Sequence, residues 1–215
     1  ALALRFGERS WSGDFYLAGS AALALYLGHR PVADLDLMAG TCRLVPTDRR
    51  DLLADLVAID PTTEVETARD GYLFVRMARE NGAAGTAVRF HYYPYPLVEP
   101  FADFGSLDVA SAIDLGLMKL GAIISRGARR DFVDLFLLRQ LVPLGVLLDR
   151  AEDKFGHVRD FPLQALKGLA DRSAVQGEPM PRLVHPLAWA EVEAWLDEEV
   201  RSRGRQHVGF GAPTA

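Results

Sequence analysis

The sequence predicts an α+β protein, a small half of mixed β-sheet with flanking helices followed by a helical half. Three stretches carry that prediction. From Phe15 to Met38, a short apolar run, a Gly-Ser step, an alanine- and leucine-rich segment and then Asp34-Leu35-Asp36-Leu37 read as strand, helix and strand. From Thr86 to Tyr95, Val88, Phe90 and Tyr92 alternate with Arg89, His91 and Tyr93, the period of a half-buried strand paired as a hairpin. From Asp108 to Ser125, Val109, Ile113, Leu117, Leu120 and Ile124 recur at spacings of three and four, which is one buried helix face.

In chain order, Ala1 to Arg9 reads as a short helical lead-in and Trp11-Ser12-Gly13 as a turn. Phe15 to Ala18 is a strand, and Ser20 caps a helix that runs to Leu27 and ends at Gly28. Asp34 to Met38 is the second strand. Thr47 to Val57 is a helix with Asp48 and Asp51 in its first turn, where the helix dipole favours carboxylates. Glu64 to Thr67 and Tyr72 to Ala78 look extended, and Asn81 to Gly85 is a turn. Beyond Asp108 to Ser125, helices are expected over Phe132 to Leu141, Leu144 to Phe155, Leu163 to Asp171 and Trp189 to Arg201, with Gln176 to Pro181 a Gly- and Pro-containing linker. The expected domains are residues 1–104, the α/β core, and 105–215, the helical region.

Composition narrows the class. The 215 residues are 49% hydrophobic and 25% charged, which is ordinary for a globular chain and leaves disorder little room. A net charge of -5 argues against a generic nucleic-acid coat but permits a local basic patch. One cysteine, Cys42, excludes an internal disulfide and a multi-cysteine metal site. With no signal-like segment and no bilayer-length apolar run, the expectation is a soluble, cytoplasmic protein without a membrane partner.

The candidate chemistry begins with Asp34 and Asp36. Strand alternation puts both on one face while Leu35 and Leu37 point the other way. Two adjacent like charges are unfavourable unless a cation sits between them, so the pair reads as a metal site; a solvated edge strand is the competing account. Gly19 and Ser20, at the junction of strand and helix, offer backbone N–H groups and a hydroxyl to an anion such as phosphate, where an ordinary N-cap serine is the plainer alternative. Lys119, Lys154 and Lys167 are the only lysines, and Lys119 interrupts an apolar helix. Asp131 and Asp134 in Arg129-Arg130-Asp131-Phe132-Val133-Asp134 share a helix face. Together with Lys119 they are either a surface ion-pair cluster or a phosphate contact held by a carboxylate. There is no GxxxxGK[ST], no GxGxxG after a strand and no HExxH, and Ala18-Gly19-Ser20-Ala21-Ala22 lacks the glycines of a nucleophile elbow.

From Phe15 to Leu138 the chain resembles the AbiEii/AbiGii toxin family, which includes the MenT-type toxins, within the polymerase-β-like nucleotidyltransferase superfamily. The resemblance rests on Gly19-Ser20, the connecting ALALYLGHR, Asp34-Leu35-Asp36, and later Asp114, Lys119 and Arg130-Asp131-Phe132-Val133-Asp134-Leu135. It implies a nucleotidyltransferase fold and the transfer of a nucleoside monophosphate from an NTP to an acceptor, a tRNA 3′ end in MenT-type members. The protein would be the toxin of a toxin–antitoxin pair, neutralised by a cognate antitoxin. By the same resemblance Asp34 and Asp36 hold magnesium, two ions in all. Gly19, Ser20, Lys119 and Arg130 contact the nucleotide, and Asp134 completes the catalytic set of Asp34, Asp36 and Lys119. Asp131 is its neighbour.

Two positions depart from the family pattern. Val32 stands where a serine or threonine often precedes the first aspartate. Arg89-Phe90-His91-Tyr92 offers His91 where the superfamily often has a third carboxylate. A nucleotide- or partner-binding module without turnover, and a nucleotidyltransferase acting on a small molecule, are the alternatives. For an RNA acceptor on an acidic chain, Arg126, Arg129 and Arg130 are the candidate basic cluster.

Overall fold

In a computed structural model of the chain, residues 6, 11–77, 85–105 and 107–208 are described. The expected lead-in over Ala1 to Arg9 falls outside them except for Phe6, and the expected turn from Asn81 falls outside them as far as residue 84. The chain divides into two compact units: Ala1–Leu25 with Val32–Ser111, and Tyr26–Pro31 with Ala112–Ala215. The short segment Tyr26–Pro31, between the Gly-Ser step and the aspartates, thus belongs with the helical half.

The first unit is built on a seven-stranded sheet in the order β3-β4-β5-β2-β1-β7-β6. Its strands are β1 (Tyr16–Ala18), β2 (Leu35–Ala39), β3 (Glu64–Arg69), β4 (Tyr72–Met77), β5 (Thr86–Tyr92), β6 (Ala102–Asp103) and β7 (Asp108–Val109). β2 lies inside the sheet, antiparallel to β1 and parallel to β5, with Asp36 opposite Ala18 on one side and Arg89 on the other. The edge-strand account of the aspartates therefore fails. One side of the sheet is the core, where Leu37, Leu73, Val75, Met77, Val88 and Phe90 are buried. Phe6, Trp11 and Phe15 gather on Phe90, with Phe15 edge-on at 5.2 Å and Trp11 edge-on at 5.8 Å between ring centres.

Helix α1 (Gly19–Leu27) follows β1 directly and stops at Gly28, whose φ of +57° suits the left-handed cap. Ser20 lies in its first turn rather than before it, because the helix already begins at Gly19. Helix α2 (Pro46–Ile59) starts one residue before the expected Thr47, with proline at its first position. Asp48 accepts the Val45 backbone N–H at 3.0 Å and satisfies a donor at the helix entrance.

The sequence period starts the helix after Phe104 too early. Asp108 and Val109 are not the first turn of a helix; they form β7, in which Val109 lies opposite Leu17 of β1 and Ala102 of β6. Ala110 N–H then donates to the Leu17 carbonyl at 3.0 Å. Sheet pairing claims a β-branched residue whose spacing also fits a helix.

The second unit is helical. α3 (Ala112–Ser125), α4 (Arg129–Leu138), α5 (Leu144–Asp149), α6 (Ala151–Phe155), α7 (Phe161–Ala170) and α8 (Trp189–Val208) enclose a core that includes Leu117, Leu120, Phe132, Leu138, Leu147, Leu166 and Leu196. α4 begins three residues ahead of the expected Phe132. Gly116 of α3 is closely covered, since a Cβ there would come within 2.6 Å of Leu147 Cδ2. Inside this unit Lys154 Nζ meets Asp114 Oδ1 at 2.8 Å, and both side chains are fully buried.

Candidate functional site

The Gly-Ser step and the aspartates are brought together by sheet register. Ala18 is paired with Asp36 across β1 and β2, so Gly19, the next residue, passes over that carboxylate. Gly19 has a φ of +63°, and a Cβ on it would lie 2.6 Å from Asp36 Oδ2. Both the backbone angle and the closeness require glycine. The chain thus turns into α1 with its N-terminal peptide groups beside an acid, and Ser20 sits in that same first turn.

Asp34 immediately precedes β2, and Asp36 is its second residue. Their side chains are 50% and 27% exposed, open enough to take a ligand. Arg89 of β5 serves both: its Nη1 is 3.2 Å from Asp34 Oδ2 and 3.8 Å from Asp36 Oδ1. His91 Nε2 lies 3.8 Å from Asp36 Oδ1. The register explains this pairing, because Arg89 stands directly opposite Asp36. His91 stands where a third carboxylate would add to the charge of the pair, and the Arg89 guanidinium compensates that charge. Among the described residues no group of three or more His, Cys, Asp or Glu side chains gathers as a metal site. A divalent ion on Asp34 and Asp36 would draw its other ligands from phosphate oxygens and water, and Mg²⁺ binds in that manner.

The second unit holds a different ion network. Lys119 Nζ contacts Asp131 Oδ1 at 2.9 Å and Asp134 Oδ2 at 2.7 Å, and both aspartates are fully buried. Asp134 also accepts His29 Nε2 at 3.0 Å and Arg30 through Nε at 3.2 Å and Nη2 at 3.3 Å. Burial alone would raise the Asp134 carboxyl, but His29, Lys119 and Arg30 outweigh it and hold the group well below the usual carboxylate range. The same loop is fixed by its backbone, since Val184 N–H donates to the His29 carbonyl at 2.9 Å. This is a buried network rather than the surface cluster that the sequence left open.

The arginines of this region separate. Arg126 is exposed and reaches Asp131 Oδ2 at 3.3 Å, and Arg130 is exposed. Arg129 is not a surface cation: it is buried, donates Nη2–H to the Gln176 carbonyl at 2.7 Å and lies 4.6 Å from the Trp189 ring centre. The Gln176 to Pro181 linker is what covers it. Sequence reasoning singled out neither His29 and Arg30 nor Arg89. Their signals are the His-Arg step just ahead of the aspartates and an arginine on the strand where a third acid is expected.

Comparison with known proteins adds the family. The profile of the nucleotidyl transferase AbiEii toxins, of type IV toxin–antitoxin systems, matches residues 1–202. The chain belongs to the AbiEii family. An uncharacterised protein of Aquifex aeolicus is 32% identical over 130 residues, a match that spans 59% of either chain. MenT4, a nucleotidyltransferase toxin of Mycobacterium tuberculosis, superposes with a TM-score of 0.55 at 18% identity over 93% of this chain and 80% of its own. A protein of H. pylori solved as a candidate nucleotidyltransferase gives 0.54 at 14% identity over 99% and 96%. At such identities these structures show a shared fold. The expected nucleotidyltransferase-type α+β architecture is the one observed for this AbiEii chain, and no helix among its described residues is long and apolar enough to cross a membrane.

Proposed function

We propose that this AbiEii protein is an enzyme that transfers a nucleoside monophosphate from an NTP to the 3′-terminal hydroxyl of an RNA, and that it is the toxin of a pair whose antitoxin is a second protein. One observation carries the reading: the glycine turn passes over Asp36 of the acid pair, with no room for even a methyl group between Gly19 and Asp36. Peptide N–H groups at a helix start take phosphate oxygens, and paired carboxylates take the cation that accompanies them.

In this reading Asp34 and Asp36 hold Mg²⁺, which supplies charge for the phosphates when bound. Gly19 keeps the backbone close, and Ser20 offers its hydroxyl to the triphosphate. Arg89, which compensates the aspartates, would be available to the phosphates with a metal held on that pair. The acceptor oxygen forms a bond to the α-phosphorus as the bond from that phosphorus to pyrophosphate breaks. The acceptor proton leaves to water or to His91. Such transfer depends chiefly on positioning and charge stabilisation. Lys119 has three N–H donors and spends two on Asp131 and Asp134. Lys119, Asp134 and Arg130 are the nucleotide contacts that this reading assigns to the helical unit.

The test is incubation of the purified chain with labelled NTPs, Mg²⁺ and total tRNA, beside the Asp36→Ala variant. Label entering RNA with wild type and not with the variant is expected; equal transfer by both would refute the metal assignment. A second reading, nucleotide binding without turnover, is favoured by His91 in the place of a third acid and by the Arg89 guanidinium against Asp34 and Asp36. Calorimetric NTP binding with no product on any RNA would select it.

A further inference from the structure

The sheet face that carries the acid pair continues across β5 and β4, and there its chemistry changes. Asp36 lies opposite Arg89, Arg89 opposite Phe74, His91 opposite Tyr72, and Tyr72 opposite Arg69 of β3. Directly opposed residues share a face, so these side chains stand on the Asp36 side, and alternation puts Arg76 there as well. The intervening residues Leu73, Val75, Val88 and Phe90 are buried on the other side. On the acid side Tyr72, Phe74, Arg76, Arg89 and His91 are half-buried and Arg69 is exposed.

The planar groups of this face lie against one another. The guanidinium of Arg89 is 4.7 Å and that of Arg76 5.5 Å from the Phe74 ring centre. Arg69 is 5.1 Å from the Tyr72 ring centre, and the Tyr72 and His91 rings are 5.0 Å apart. In a chain of net charge -5, three arginines interleaved with two aromatics on one strip are a local exception. Cross-strand aromatic and cation–π pairs stabilise a sheet face by themselves; here they also form one continuous strip that runs up to the acid pair. Planar cations and rings in alternation match a ligand made of planar bases and anionic linkages, that is, single-stranded nucleic acid. A duplex presents its bases in grooves and would leave the rings unused.

We infer that the strip from Arg69 and Tyr72 through Phe74 and Arg76 to Arg89 binds the single-stranded end of an RNA, with bases stacked on the Tyr72 and Phe74 assemblies and phosphates on Arg69 and Arg76. This rests on the nucleotidyl-transfer reading, which places the reacting hydroxyl beside Asp34 and Asp36 at the inner end of the strip. Glu66 neutralises Arg76 at 2.6 Å, and a phosphate takes over that arginine when RNA binds.

The test is fluorescence anisotropy of the full chain with a 5′-fluorescein single-stranded RNA of about ten nucleotides, a length matched to single-strand sites of about 4–16. Phe74→Ala and Tyr72→Ala are each expected to weaken binding by about tenfold or more, and Phe74→Trp to retain it. Arg69→Glu, at an exposed position that does not endanger folding, is expected to weaken binding and to flatten its salt dependence. In transfer assays KM for RNA rises in Phe74→Ala while KM for NTP does not. Absence of wild-type binding, equal binding by wild type and variants, or equal binding of a duplex of the same length each overturns the assignment; a protein partner would then be the better occupant. Binding lost in these variants of a protein that transfers no nucleotide would keep the strip and refute the transfer reading alone.

Discussion

Replacing Asp134 by asparagine tests the buried network most directly. The carboxylate accepts from Lys119 at 2.7 Å, His29 at 3.0 Å and Arg30 at 3.2 and 3.3 Å, all out of contact with solvent on its own side. Asparagine keeps the shape, removes the charge and turns one acceptor into a donor that must face a cation. Breaking a buried pair by removing one partner costs about 3–5 kcal/mol. Lys119 retains Asp131 at 2.9 Å, which offsets part of this and places the expected loss near the lower end, about 3 kcal/mol. At about 2–4 °C per kcal/mol for chains of this size, the melting temperature should fall by about 6–12 °C. Thermal unfolding followed by tryptophan emission measures it, since Trp189 and Trp195 belong to the same unit as Asp134. A fall of less than about 2 °C, below what 1 kcal/mol would give, would refute the argument.

The same substitution has a pH signature. Because the folded Asp134 carboxyl lies below its ordinary value, its stabilisation is complete above about pH 4 and is lost as pH falls below that, by at most about 1.4 kcal/mol per pH unit for one proton. Acid unfolding of wild type should therefore be steeper than that of Asp134→Asn. Gly19→Ala should fold with a penalty of about 1–2 kcal/mol for its left-handed backbone, yet lose about a hundredfold in kcat because the new methyl displaces Asp36; parallel melting and transfer assays check both. Lys154→Met removes the buried cation from the Asp114 carboxylate and should cost about 3–5 kcal/mol in urea unfolding, part of it recovered in Lys154→Met with Asp114→Leu. Chelation with EDTA should abolish transfer, and added Mg²⁺ should restore it, in a radiolabel assay.

What could be read from the sequence follows the range of the interactions concerned. The Asp34-Asp36 face and the β5 alternation are properties of adjacent residues, and the structure repeats them. Gly28 ends α1 because its chemistry is local. Val109 could not be read, since its strand exists through pairing with Leu17, far away in the chain, and with Ala102 of the two-residue β6. Lys154 was visible as a rare lysine but not as a partner of Asp114, 40 residues earlier. His29 and Arg30 look like loop residues until Asp134, more than 100 positions later, receives them. His91 stands out in the sequence in the place of a third acid; the role of its neighbour Arg89 as counter-charge needs the register of β2 and β5.

The interior position of β2 has a practical consequence. Its backbone is bonded to β1 and β5 on both sides, so the strand is held without help from the side chains at 34 and 36. Neutral substitutions at those positions give up the charge contacts with Arg89 and His91 but leave the backbone pairing standing. Asp34→Asn with Asp36→Asn should give a chain that cells tolerate in quantity while its outer surfaces stay unchanged, and that chain can serve as bait for recovering whatever neutralises the active protein.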